Sequence, residues 1–135
     1  MELLPVSDTV SMTADRFSGA VYMTAIHSGS EPSRLVVALV RFTPGARTHW
    51  HRHAVGQTLL VTDGVGLVGT RDGAVLHISS GETVVCPPGE EHWHGAAAST
   101  FMSHLALLEV LPDGVDPTTW LEPVGEDIYA AAQGG

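Results

Sequence analysis

Apolar and polar positions alternate along most of this chain with the two-residue period of an extended strand. The alternation is carried by runs at 21–27, 35–42, 57–61, 65–68, 74–78, 83–85 and 101–110, the pattern of strands with one face buried. Turn chemistry separates nearly all of them: Thr43-Pro44-Gly45, Thr62-Asp63-Gly64, Arg71-Asp72-Gly73, Ser80-Gly81 and Pro112-Asp113-Gly114. Gly and Asp supply the tight backbone angles that hairpins need. Helical periodicity is nearly absent from the middle. Only 126–133 reads as a short helix, with Glu126 and Asp127 in its first turn and alanines after them. The pattern predicts an all-β protein, an antiparallel sandwich or barrel, ending in a short C-terminal helix.

The chain has 135 residues, enough for one domain with a sizeable core and too few to expect two. It divides into an N-terminal segment at 1–20, a barrel at 21–112 and a tail at 113–135 that belongs to the same domain. Fifteen acidic against six basic residues give a net charge of -9, which repels a phosphate backbone and excludes nucleic acid as the expected partner. The first residues lack a basic stretch followed by an apolar run, and no segment approaches membrane-spanning length. A soluble, cytoplasmic protein without a membrane partner is expected. Cys86 is the single cysteine, so no internal disulfide forms; its apolar surroundings point to a buried structural thiol.

Histidine changes the picture most. Eight histidines fall into a cluster at His49, His51 and His53, a pair at His92 and His94, and singletons at His27, His77 and His104. One residue separates His51 from His53, so on an extended segment both imidazoles point to one face and can share an ion; Gln57 has the same parity. His92 can join them from a distant strand, as barrel interiors allow. His94 shares the parity of His92. His49 stands before Trp50 as a rim residue, and His27 and His77 read as ordinary strand positions. In 101–110, Met102, His104, Ala106 and Leu108 share one face and Phe101, Ser103, Leu105 and Leu107 the other; pattern alone leaves open which is inner.

The spacings Gly45-x5-His51-x-His53-x3-Gln57-x6-Gly64 and Gly81-x5-Pro87-x-Gly89-x2-His92 resemble the two signature motifs of the cupin superfamily. Gln57 stands where cupins usually carry Glu, and Ala96 where the second motif usually ends in Asn. The resemblance implies a six-to-eight-stranded jelly-roll barrel holding a divalent metal ion, manganese, iron, zinc, nickel or copper, on His51, His53, Gln57 and His92. A narrower match covers most of the chain: Pro44-Gly-Ala-Arg-Thr-x-Trp50-His, Gly56-Gln-Thr-Leu, Pro88-Gly-Glu-x-His-Trp-His-Gly-Ala-Ala97, His104 and Trp120-x-Glu-x-Val. These resemble small bacterial manganese cupins with hydroxynitrile lyase activity, which also carry Gln as a ligand.

That narrower resemblance implies reversible cleavage of cyanohydrins to an aldehyde or ketone plus hydrogen cyanide. It places the even-numbered face of 101–110 inside, with His104 as the catalytic base; His94, by its parity with His92 on a regular strand, faces the same interior as a neighbouring catalytic or substrate-contacting candidate. Val36, Ala38, Val40 and Phe42, with Leu59, Val61, Ala106 and Leu108, would then line a pocket for a small apolar or aromatic carbonyl or cyanohydrin substrate. An amide oxygen in place of a carboxylate cancels none of the ion's charge and raises its Lewis acidity. An imidazole titrating close to neutrality predicts activity that falls just below neutral pH. A homodimer is expected, because single-domain cupins pair and short jelly rolls leave strand edges to cover; residues before Val21 are the candidate crossing segment. A metal-dependent dioxygenase and a non-catalytic small-molecule-binding cupin are the competing readings. Oxygen uptake would mark the first and absence of turnover the second.

Overall fold

The alternating runs form strands in the computed structural model, which describes residues 1–134. In chain order these are β1 (Thr9–Ser11), β2 (Phe17–Ser18), β3 (Val21–Ser28), β4 (Leu35–Phe42), β5 (Arg47–Thr48), β6 (His51–His53) and β7 (Gln57–Thr70). They continue with β8 (Val75–Ser79), β9 (Thr83–Cys86), β10 (His92–Ala96), β11 (Met102–Glu109) and β12 (Thr118–Trp120), followed by helix α1 (Glu126–Gln133). All pairings are antiparallel. One sheet runs β1-β3-β4-β11-β7-β9. The other runs β8-β7-β10-β5-β2, with β6 between β10 and β12. The two curl over a shared interior as an all-β jelly roll, and β7 belongs to both. No helix among the described residues is long and apolar enough to cross a membrane.

Alternation decides which face is inner. Phe42 and Val40 on β4 stand opposite Met102 and His104 on β11, and all four are buried. The even-numbered face therefore points inward. Burying these side chains with Leu59, Val61, Val84 and Phe17 makes the main core and supplies most of the folding free energy, at roughly 1.5–3 kcal/mol for each large apolar side chain. A second core forms on the far side of β10, where Trp93 meets Trp50, Leu67, Val124 and Tyr129. It fixes the tail: Tyr129 donates its hydroxyl to the Ala96 carbonyl at 2.7 Å, and buried Arg47 donates to the Val124 carbonyl at 3.1 Å while lying 4.2 Å from the Tyr129 ring centroid. At the other terminus, β1 and β2 pair with β3 and β5 of the same chain.

One expected turn is absent. The segments 57–61 and 65–68 are not the arms of a hairpin about Thr62-Asp63-Gly64 but parts of the single strand β7. Gly64 has φ 80° and takes the bend that carries β7 from one sheet into the other, where its register against β11 shifts between Ser103 and His104. A Cβ there would stand 1.9 Å from the Phe101 carbonyl oxygen, so backbone would have to move. Gly64→Ala is expected to cost about 3 kcal/mol or more from steric overlap and left-handed strain together. A fall in the urea midpoint with unchanged slope is the measurement; an unchanged midpoint would show that the bend relaxes.

Candidate metal centre

β6 and β10 are antiparallel neighbours with His51 directly opposite His92. Because strand side chains alternate, His53 follows His51 into the interior while Arg52 between them turns outward to Glu91 at 3.3 Å. Gln57 begins β7 on the same side. Candidate ligand nitrogens of His51, His53 and His92 all lie within 4.8 Å of one another, and each of the three residues is buried. Gln57 Oε1 is 3.4 Å from His92 Nε2. The four residues singled out by spacing thus come together.

Their hydrogen bonds show which nitrogen each offers. His51 Nδ1–H donates to the His49 carbonyl at 2.9 Å, and His92 Nδ1–H to the Glu90 carbonyl at 3.0 Å. His53 Nδ1 pairs with Thr118 Oγ1 at 2.9 Å. A carbonyl can only accept, so the Nε2 atoms of His51 and His92 carry lone pairs. His92 Nε2 and Gln57 Oε1 then face each other as two acceptors with no proton between them, and His53 Nε2 is buried without a partner. A cation resolves both, and a ligating imidazole held by a hydrogen bond through its other nitrogen is the usual support for a metal. The donor set fits a divalent ion; three imidazoles and an amide oxygen accommodate several transition metals.

Burial sets the protonation states. His53 is lowered to about 4 by burial and then by neighbouring His92. His51 is pushed well below its ordinary value by burial and His92, and His92 is lowered mainly by burial. All three are neutral near pH 7, the form that coordinates metal.

His94 and His104 form a second buried unit beside the first. His104 Nε2 lies 3.1 Å from His94 Nδ1, and the His94 ring centroid is 5.1 Å from that of His51. His94 Nε2 and His104 Nδ1 are buried without partners. Burial lowers His104 to about 4; burial and the His104 charge push His94 well down. The expectation of an imidazole titrating near neutrality is therefore corrected, because burial of the ring disfavours its charged form. His104 also has its Nε2 engaged by His94.

A cavity of about 370 Å³ opens onto these groups, lined by His51, His53, Gln57, His94 and His104 at one side and by Val36, Ala38, Val40, Ala106 and Leu108 at another. Phe42, Leu59 and Val61, expected beside them, do not line it and lie in the core. His49 is not an open rim position: it is 6% exposed, and its carbonyl holds His51. His27 and His77 are exposed strand residues. Cys86 is buried, and burial pushes its thiol up to about 12, which suits a packing role.

Thr118 is a site residue that the sequence reading did not single out, and Trp120 entered it only as part of the tail motif, with no role at the site. Their strand β12 lies against β6 with Thr118 opposite His53 and Trp120 opposite His51, and the Trp120 ring stacks on His51 with centroids 4.6 Å apart. Their shared parity was the available signal, but three residues are too short a run to read as a strand.

Fold and site define a class. Residues 38–108, more than half of the chain, match the cupin domain family, and the chain belongs to that family. A protein from Granulicella tundricola named (R)-mandelonitrile lyase is 46% identical over 116 residues, covering 86% of this chain and 87% of its own length. A cupin-like protein of solved structure from Thermotoga maritima superposes with a TM-score of 0.84 at 32% identity, over 100% of this chain and 99% of that one. A cupin-2 domain from Rhodospirillum rubrum shares the fold with a TM-score of 0.70 at 18% identity, over 100% of this chain and 86% of that one.

Proposed function

We propose that this cupin is a metal-dependent hydroxynitrile lyase that reversibly cleaves cyanohydrins of small apolar or aromatic carbonyl compounds. The observation that carries the reading is the meeting, in one largely apolar cavity, of a cation-fitting donor set and a buried imidazole pair able to take a proton. The mandelonitrile lyase relative supplies the choice of reaction. Manganese is the proposed ion; iron, zinc, nickel and copper fit the same donors. Held by His51, His53, Gln57 and His92, it supplies Lewis acidity to the oxygen of the reacting carbon.

The remaining work falls to the chain. The apolar walls orient the organic group and exclude water from the leaving cyanide. The His94–His104 pair accepts the cyanohydrin hydroxyl proton; the carbon–cyanide bond breaks with its electrons on cyanide, leaving the carbonyl, and the pair returns the proton to give hydrogen cyanide. His94 Nε2 receives the proton and His94 Nδ1–H passes one to His104 Nε2. Metal-loaded protein is expected to release benzaldehyde and cyanide from mandelonitrile without oxygen, and chelated protein is not. Oxygen-dependent turnover alone would point to a dioxygenase, and absence of turnover with full metal occupancy would remove the lyase reading. Gln57→Glu is expected to keep its metal but cleave about tenfold more slowly, since the added negative charge weakens the Lewis acid. Faster cleavage by that variant would contradict the role given to the neutral amide.

A further inference from the structure

Arg16 lines the cavity, and nothing described so far uses it. It lies between β1 and β2 with its backbone tied on both sides: its N–H donates to the Thr13 carbonyl at 3.2 Å, and its carbonyl accepts from His49 N–H at 2.8 Å, two residues before His51. Next to it, Phe17 is buried in the main core. The guanidinium carbon stands 5.4 Å from the Trp120 ring centroid, and that ring stacks on His51. A guanidinium–indole–imidazole column therefore leads from an exposed charge down to the candidate metal centre.

That guanidinium makes no ion pair within 4.0 Å among the described residues. Arg47, Arg52 and Arg71 are ion-paired. Asp15, adjacent in sequence, accepts from the Thr13 hydroxyl, which is the main cause of its lowered pKa, and feels the Arg16 charge only as a smaller contribution. Asp116, the carboxylate among the lining residues, accepts from Thr118 N–H at 2.9 Å and makes no ion pair with Arg16. A protein of net charge -9 thus presents an exposed guanidinium without a salt bridge at the edge of a largely apolar cavity. Its planar fork suits a carboxylate, which it can hold through two parallel hydrogen bonds.

We propose that Arg16 is a specificity-determining residue that selects substrates bearing a carboxylate at the end remote from the reacting carbon. These are small apolar or aromatic carbonyl acids and their cyanohydrins, held with the acid group at Arg16 and the oxygen of the reacting carbon toward His51, His53 and Gln57. The reacting end of this assignment rests on the lyase reading; the anionic end follows from Arg16 whatever the reaction. The test measures binding of two compounds that cannot be cleaved, para-hydroxymethylbenzoate and benzyl alcohol, by calorimetry on full-length metal-loaded protein of verified metal content. Wild type is expected to hold the acid at least about tenfold more tightly than the alcohol, Arg16→Gln to lose that preference, and Arg16→Lys to recover part of it as a point charge without the fork. The preference should shrink with added salt. Equal affinity of wild type and Arg16→Gln for the acid would overturn the proposal, because the carboxylate would then be bound elsewhere. Failure of the lyase reading has a different signature: no cyanohydrin turnover in metal-loaded wild type, with Arg16-dependent binding of the acid intact, which still supports the proposal.

Discussion

His51→Ala, His53→Ala and His92→Ala are each expected to lose bound metal and, with it, cyanohydrin cleavage. Each substitution removes one of three imidazoles whose nitrogens converge within 4.8 Å, and in the His51 and His92 variants the His49 or Glu90 carbonyl loses the N–H that it now accepts. Loss of a residue that merely orients a ligand costs about 10- to 100-fold in metal affinity, and loss of the ligand itself should exceed that. Elemental analysis after dialysis reads the effect directly. Chelation of wild type followed by readdition of manganese should restore activity, and the same treatment should not rescue the variants. Full metal occupancy in any one of them would remove that histidine from the ligand set.

His104→Ala separates proton handling from metal binding inside the same cavity. The side chain bonds His94 and packs 5.5 Å from Phe42, ring centroid to centroid, so metal content should stay near that of wild type while mandelonitrile cleavage falls about 10²-fold or more, the usual loss for a positioned acid–base group. His104→Gln, which fills more of the space, distinguishes lost chemistry from a collapsed cavity. With a pKa of about 4, wild-type activity should persist through mildly acidic solution and fall only as the pH approaches that value, where the ring becomes protonated and can no longer accept. The sign for stability follows from the same shift. Between about 6.5 and about 4 the unfolded chain binds the proton and the folded chain does not, so stability declines as pH falls through that window, by at most about 3 kcal/mol for this group. Unchanged turnover in a metal-replete His104→Ala protein would make the residue a packing element.

Strand parity was the most legible part of both fold and site. Alternation gave β4 and β11, and alanines behind an acidic first turn gave the helix at 126–133; the motif glycines and histidines placed His51, His53, Gln57 and His92 on one side. The bend at Gly64 was not legible, because glycine at positive φ serves a tight turn and a bent continuous strand equally well. What decides between them is the approach of the Phe101 carbonyl, thirty-seven positions away in the chain. The strands β1, β2 and β12 are too short to display a period, so Thr118, and the place of the motif residue Trp120 beside His51, could be found only through their partners on β6. The acidity of His104 was misjudged for a related reason: burial is a property of the assembled barrel and leaves no mark on one residue.

The course of β7 has a consequence for ion discrimination. Straight, fourteen residues would reach roughly 45 Å, yet Gln57, its first residue, contacts His92, while Thr70, its last, is paired with that same histidine. One strand thus bends from one sheet into the other and brings both its first side chain and its last backbone pairing to His92. The separation of the Gln57 amide from His92 therefore depends on the bend of β7 at Gly64 as well as on side-chain torsions at the centre. Preference among cations of different ionic radius would then respond to substitutions at the bend, made at residues that never touch the ion.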